Sequence, residues 1–120
     1  SKGQVLGGHR RIFEAGHVTV FDEKEENRTR DVQKLACAII HANASFTEAK
    51  AALDALFLNL GIKHSIREGK HESFIDGRIG KILVKNKQVG VVGEIHPKVL
   101  ETWKLENPVS AFEISLEDII

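Results

Sequence analysis

The spacing of apolar positions changes several times along the chain, and each change predicts an element. Arg11-Ile12-Phe13-Glu14-Ala15 and His17-Val18-Thr19-Val20-Phe21 are rich in β-branched and aromatic residues and flank Gly16. They read as strand, bend, strand, or as one strand carrying a glycine bulge. Residues 22–31 place four acidic residues before Asn27 and two arginines after it, with nothing apolar to bury, which predicts a solvated loop. Lys34-Leu35-Ala36-Cys37-Ala38-Ile39-Ile40 is apolar and of strand length, so a central strand buried on both faces is expected.

A helix is predicted from Ser45. Ser45-Phe46-Thr47-Glu48 has the capping-box spacing, in which Ser and Glu satisfy each other's backbone donors, and Gly61 supplies the stop. Phe46, Ala49, Leu53, Leu56, Phe57 and Leu60 recur at helical period on one face, while Glu48, Lys50 and Asp54 point away. That face is expected to pack on a sheet.

Alternation resumes over residues 62–67, and two apolar runs, 79–84 and 89–95, flank Lys85-Asn86-Lys87-Gln88. This is the strongest hairpin signal in the chain. Asn86 favours positive φ, but Lys87 stands where a tight turn prefers glycine, so a looser turn is equally compatible. Pro97 suits the first turn of a short helix reaching about Trp103, and Pro108 precedes a last strand over 110–115. Hairpins outnumber β-α-β crossovers, which gives an α+β class with a largely antiparallel sheet and flanking helices. With 120 residues, 42% of them hydrophobic, the chain has material for a single core, so residues 1–120 are read as one domain.

Charge and cysteine content narrow the function. Seventeen basic residues balance seventeen acidic ones, so no long-range field steers the chain to nucleic acid or anionic lipid. The single cysteine, Cys37, excludes an internal disulfide or a Cys-based zinc site and fits a reducing cytoplasm. No apolar run approaches the roughly 20 residues a bilayer requires. The opening Ser1-Lys2-Gly3-Gln4 has no signal-peptide layout, and methionine is absent throughout, as expected of a piece of a longer protein.

Candidate chemistry is thin. His9, His17, His41, His64, His71 and His96 form no H-x-H or H-x-x-x-H pair, so they read as surface or capping residues before metal ligands. His71, Ser73 and Asp76 hold the residue types of a hydrolytic triad, but within one short loop and without a G-x-S-x-G elbow. Cys37 lies among Leu35, Ala36, Ala38 and Ile39, the setting of a buried structural thiol. Gly77-Arg78-Ile79-Gly80 and Gly90-Val91-Val92-Gly93 match the G-x-x-G of nucleic-acid-binding KH loops, but each adjoins a strand, which favours bulge or close-packing glycines. Arg10, Arg11, Arg28 and Arg30 could contact RNA, yet acidic residues surround two of them. No nucleotide-binding glycine motif is present. The residues by themselves describe an α+β domain with no self-contained active site, so no catalytic, cofactor-binding or metal-ligating residue is assigned.

Four segments carry a resemblance. Arg11-Ile12-Phe13-Glu14-Ala15-Gly16-His17-Val18, Ser73-Phe74-Ile75-Asp76-Gly77-Arg78, Gly90-Val91-Val92-Gly93-Glu94-Ile95-His96-Pro97-Lys98-Val99-Leu100-Glu101 and Asn107-Pro108-Val109-Ser110-Ala111-Phe112-Glu113-Ile114 stand in family order, with Phe46-Thr47-Glu48 opening the helix between the first two, and nearly the whole chain resembles phenylalanyl-tRNA synthetase beta subunits of the archaeal or eukaryotic type. The resemblance implies the latter part of a synthetase-like domain built as a partial class II synthetase fold, with catalysis in the alpha subunit. Active class II strands carry Phe-Arg-x-Glu where this chain has Arg11-Ile12-Phe13-Glu14, and Ala111-Phe112-Glu113-Ile114-Ser115 lacks the arginine of the third class II motif. The chain alone is therefore expected to be inactive. ATP and magnesium are implied for the whole enzyme and not for this piece. The implied partner is the alpha subunit, in a heterotetramer of two alpha and two beta chains; tRNA is bound by the complex, and no membrane is involved. The first class II motif and the editing and magnesium-binding regions are expected before residue 1. Two other readings compete: a free-standing small-molecule-binding or His-dependent hydrolytic domain, and a direct tRNA-binding module, which neutral charge disfavours.

Overall fold

The computed structural model describes the backbone of residues 2–6, 9–22 and 28–119, and side chains from Lys34 to Ile119. Its strands are β1 (Lys2–Leu6), β2 (His9–Asp22), β3 (Arg28–Ile40), β4 (Ser65–Glu68), β5 (Phe74–Val84), β6 (Lys87–Ile95) and β7 (Val109–Ser115), with helices α1 (Phe46–Leu60) and α2 (Pro97–Thr102). The strands form one sheet in the order β1-β2-β3-β7-β6-β5-β4. Every pairing is antiparallel, as the hairpin-rich pattern predicts.

β2 and β3 pair without a register break from Arg10↔Ile40 to Asp22↔Arg28, passing Gly16↔Lys34. Gly16 therefore marks neither a bend nor a bulge. The expected loop over 22–31 is shorter than its composition suggests: Asp22 and residues 28–31 belong to the ladder, and the acidic stretch 23–27 lies outside the described residues. Backbone pairing needs no apolar side chain, so a charged ribbon can continue past the core.

Strand β3 alternates. Cys37 and Ile39 are buried beneath α1, whereas Ala36, Ala38 and Ile40 lie on the opposite face and are only half-buried. One face, not both, is fully covered.

On the covered face, Ala49, Leu53 and Phe57 of α1 are buried against Ile39, Ile82, Val92, Phe112 and Ile114. Burying each large side chain contributes on the order of 1.5–3 kcal/mol. Ser45 accepts the Glu48 N–H at 3.3 Å, half of the predicted capping box. The reciprocal half is absent, because the Glu48 carboxylate pairs with His41 Nε2 at 2.5 Å. At the other end Gly61 takes φ 69°. The Gly61 N–H reaches Leu58 O and the Ile62 N–H reaches Phe57 O, each at 3.1 Å, a Schellman closure. Leu60, assigned to the packed face by periodicity, is 49% exposed, and Leu58 is 82% exposed.

The predicted hairpin forms and is tighter than a four-residue connection. Val84 pairs with Lys87, so the turn is Lys85-Asn86 with φ of 53° and 65°. Two consecutive positive φ values define the mirror-image turn whose twist suits a hairpin. Residues 75–78 are accommodated against a single residue of β6, since Phe74 pairs with Ile95 and Ile79 with Gly93. This bulge swings Ile75-Asp76-Gly77-Arg78 out of the ladder. Behind the sheet, Phe74, Ile79, Ile95 and Val109 form a second, smaller core partly covered by Val99 and Leu100 of α2.

Candidate functional site

The four histidines whose side chains are described each have a structural task. His41 is buried; besides Glu48, its Nδ1 accepts the Asn43 N–H at 3.1 Å, fixing the chain between β3 and α1. His96 caps α2, with Nδ1 accepting the Lys98 N–H at 3.1 Å. His71 repeats the arrangement with the Ser73 N–H at 3.1 Å. In each case a ring nitrogen does what an Asn or Asp oxygen does in an Asx-turn, and the neutral ring must carry its proton on Nε2. His64 stacks on Phe57 with ring centroids 4.5 Å apart and bonds Asp54 Oδ1 through Nε2 at 2.8 Å. Burial pushes the Asp54 carboxyl upward, but hydrogen bonds and charge from Lys50 and His64 outweigh it and hold Asp54 below the usual carboxylate range. The side chains of His9, His17, Arg10, Arg11, Arg28 and Arg30 lie outside the described residues.

No group of three His, Cys, Asp or Glu side chains among the described residues is arranged to hold a metal ion. Cys37 is 1% exposed within the α1 core. His71, Ser73 and Asp76 stay in one loop, with the His71 Nδ1 already committed to the Ser73 backbone. The second G-x-x-G glycine pair is explained by closeness of strands: a Cβ on Gly90 would lie 1.9 Å from Glu113 O, and one on Gly93 would lie 2.5 Å from Arg78 O.

Two features were not visible in the sequence. The first is Glu94. Its Oε2 accepts the Phe46 N–H at 2.8 Å, capping α1 from strand β6, and its Oε1 accepts from Arg78 Nη1 at 3.0 Å. One carboxylate thus joins the helix start, the central sheet and the β5 bulge. It is a charge-assisted contact at the positive end of a helix.

The second is a cavity of about 330 Å³ on the face of the sheet away from α1. Ala36 and Ala38 of β3, Ala111 of β7 and Val91 of β6 line its floor; Phe74, Ile95 and Trp103 rise at its sides. Ala38 and Ala111 are directly opposite in register, and Gly93 is opposite Ala111 on the other side. Three adjacent strands therefore present small residues together, and the sheet surface dips between larger neighbours. Trp103 is 54% exposed at the edge. His71, Ser73 and Glu113 supply the polar rim, and Glu113 accepts from Lys34 Nζ at 3.0 Å. Alternation along β3 and β7 carried the only sequence signal, since Ala36, Ala38 and Ala111 share a face only once the register is known.

Similarity to known proteins covers almost all of the chain. The family model described as the phenylalanyl tRNA synthetase beta chain CLM domain matches residues 8–116. The phenylalanine–tRNA ligase beta subunit of Thermococcus onnurineus is 49% identical over 109 residues, 91% of this chain and 19% of that protein. That of Pyrococcus abyssi is 50% identical over 109 residues, 91% of this chain and 20% of the relative. That of Thermofilum pendens is 38% identical over 120 residues, all of this chain and 22% of the relative. The chain spans about a fifth of the length of these relatives.

Proposed function

The chain belongs to the family of the phenylalanyl tRNA synthetase beta chain CLM domain, and from that premise we propose that it is a non-catalytic module of a phenylalanine–tRNA ligase beta subunit. Its role is to support assembly with the alpha subunit, which carries out the ATP-dependent attachment of phenylalanine to its tRNA. The observation that carries this reading is the match over residues 8–116, which takes in all four segments of the sequence resemblance. The antiparallel sheet with α1 packed on one face supports a partial class II synthetase-like fold. The further placement, in the latter part of a catalytic-like domain, follows from the same resemblance.

ATP and magnesium belong to the whole enzyme in this reading. The residues of the open sheet face do not fit a nucleoside triphosphate. Its floor is alanine and valine, its β7 charge is the anionic Glu113, and the adjacent Lys34 is already engaged by that carboxylate. A triphosphate requires several convergent cations or backbone donors, so no chemical step is assigned to this chain. Among the described residues no helix is long and apolar enough to cross a membrane. A heterotetramer of two alpha and two beta chains in the cytoplasm, with tRNA held by the complex, is the setting we propose.

The test is to mix this chain with the alpha subunit from the same source and follow complex formation by analytical ultracentrifugation, with phenylalanine-dependent pyrophosphate exchange measured in parallel. Association without exchange by the chain alone is the expected result. Exchange catalysed by the chain alone would overturn the non-catalytic reading. Failure of the folded chain to compete with the full beta subunit for alpha would overturn the assembly role.

A further inference from the structure

We propose that the free edge of β4 docks an extended acidic segment of a partner protein by strand addition. The inference goes beyond the assembly reading and rests on the sheet edge alone. β4 ends the strand order, so among the described residues no strand pairs with its outer side. In an antiparallel strand alternate residues point their N–H and C=O away from the paired neighbour. On Ser65–Glu68 those outward groups are available to another strand. Ile66 faces the α1 core and is only half-buried, so an incoming strand extends that core wherever it carries an apolar residue.

The opposite face of this edge is cationic. Arg67 stands directly across from Lys81 in register. Their neighbours Ile66 and Ile82 point into the α1 core, so the two cations share the face away from α1. Like charges directly opposite destabilise a sheet, and an anion laid beside them relieves the cost. The stem of Lys81 runs along Gly69, just past β4, where an added Cβ would lie 2.7 Å from Lys81 Cγ. Lys63 and Lys70 flank the strand, with Glu68 the single acid between them. All four cations are exposed, and among the described residues none has an ion-pair partner. Lys70 shares a cavity with Glu72 and Asp76, so Lys63, Arg67 and Lys81 carry the argument. In a chain whose formal charges cancel, this is a local excess of one sign. Cations on an edge repel neutral and basic strands. A segment alternating acidic with apolar residues meets Arg67 and Lys81 on one face and Ile66 on the other.

The probe is a fluorescein-labelled octapeptide of alternating glutamate and valine, titrated against the 120-residue chain. Fluorescence anisotropy should give half-saturation on the order of 100 µM, weakening several-fold as salt rises from about 50 to 300 mM. The same peptide N-methylated throughout keeps every charge and loses every backbone donor, and should bind about tenfold or more weakly. In hydrogen exchange, bound peptide should slow the outward amides of β4. Arg67→Glu combined with Lys81→Glu should weaken binding about tenfold or more, whereas Lys98→Glu, an exposed charge reversal on α2, should leave it unchanged. Equal binding by the plain and the N-methylated peptide, or a polyphosphate that outcompetes the peptide at equal charge, means a surface that reads charge alone and overturns the proposal. So does a response still linear at about 2 mM peptide, well past the expected midpoint, or a midpoint unmoved by the double substitution.

Discussion

Replacing Glu94 by alanine removes two interactions of different kinds, and the structure says which matters. The carboxylate is 17% exposed and accepts the Phe46 N–H at 2.8 Å, at the first turn of α1. A hydrogen bond to a charged group is worth about 1.5–3 kcal/mol, and its loss leaves a helix-terminal donor without this acceptor. Arg78, by contrast, is 62% exposed, and exposed ion pairs contribute about 0.2–1 kcal/mol. Glu94→Ala should therefore cost about 2–3 kcal/mol and Arg78→Ala less than about 1 kcal/mol. For a chain of this length each kcal/mol lowers Tm by about 4 °C, so the two variants should separate by several degrees in calorimetry. Glu94→Gln, which keeps an acceptor without charge, should fall between. In a double-mutant cycle the Glu94–Arg78 coupling should stay below about 1 kcal/mol. An Arg78→Ala loss equal to that of Glu94→Ala would refute the reasoning, because the carboxylate would then act through the ion pair and not through the helix cap.

Other predictions follow from packing, backbone approach and titration. Leu53→Ala, at a fully buried position on α1, should cost about 2–5 kcal/mol by urea denaturation, against about 1 kcal/mol for Ser45→Ala and no more than about 0.5 kcal/mol for Leu58→Ala on the exposed side. Gly90→Ala would place a Cβ 1.9 Å from Glu113 O; β6 and β7 must part, so a large loss of Tm or of soluble yield is expected, whereas Gly77→Ala, with nothing within 4 Å but φ of +81°, should lose only about 1 kcal/mol. Asp54 titrates below the usual carboxylate range when folded, so it contributes stability above that range and loses it as pH falls through the depressed folded value. The urea midpoint of Asp54→Asn should accordingly fall less steeply than wild type on acidification through that window, and an equal slope would count against the His64–Asp54–Lys50 cluster.

The helix and the β5–β6 hairpin were legible because their signals are local. Ser45, Gly61 and the 3.6-residue period fix α1, and the two apolar runs flanking residues 85–88 fix the hairpin, although its two turn residues are Lys85-Asn86 and not Asn86-Lys87. What went unread depends on other segments. Leu60 obeys the period but emerges to 49% exposure, since a helix face is buried only as far as there is sheet beneath it. Glu48 has the capping-box position, yet His41 from the end of β3 claims its carboxylate. Glu94 reads as an ordinary strand residue until β6 is known to pass beneath the start of α1. Composition misled over residues 28–31, where charge suggested a loop and the ladder continues with Thr29↔Phe21 and Asp31↔Thr19. The groove required register, which no single strand contains.

The strand order has a consequence for how the chain is made. β3 and β6 each complete a hairpin with the strand preceding them, but among the described strands they meet only through β7, which follows both in sequence. Until β7 is made, the β1-β2-β3 and β4-β5-β6 half-sheets lack the described strand that joins their facing edges. Such edges are templates for pairing with other chains, and closing them late demands contacts between residues as distant as Lys34 and Ser115, which slows folding. A nascent chain interrupted before Val109 would carry both open edges at once, so truncation there should produce aggregation in place of a smaller folded domain.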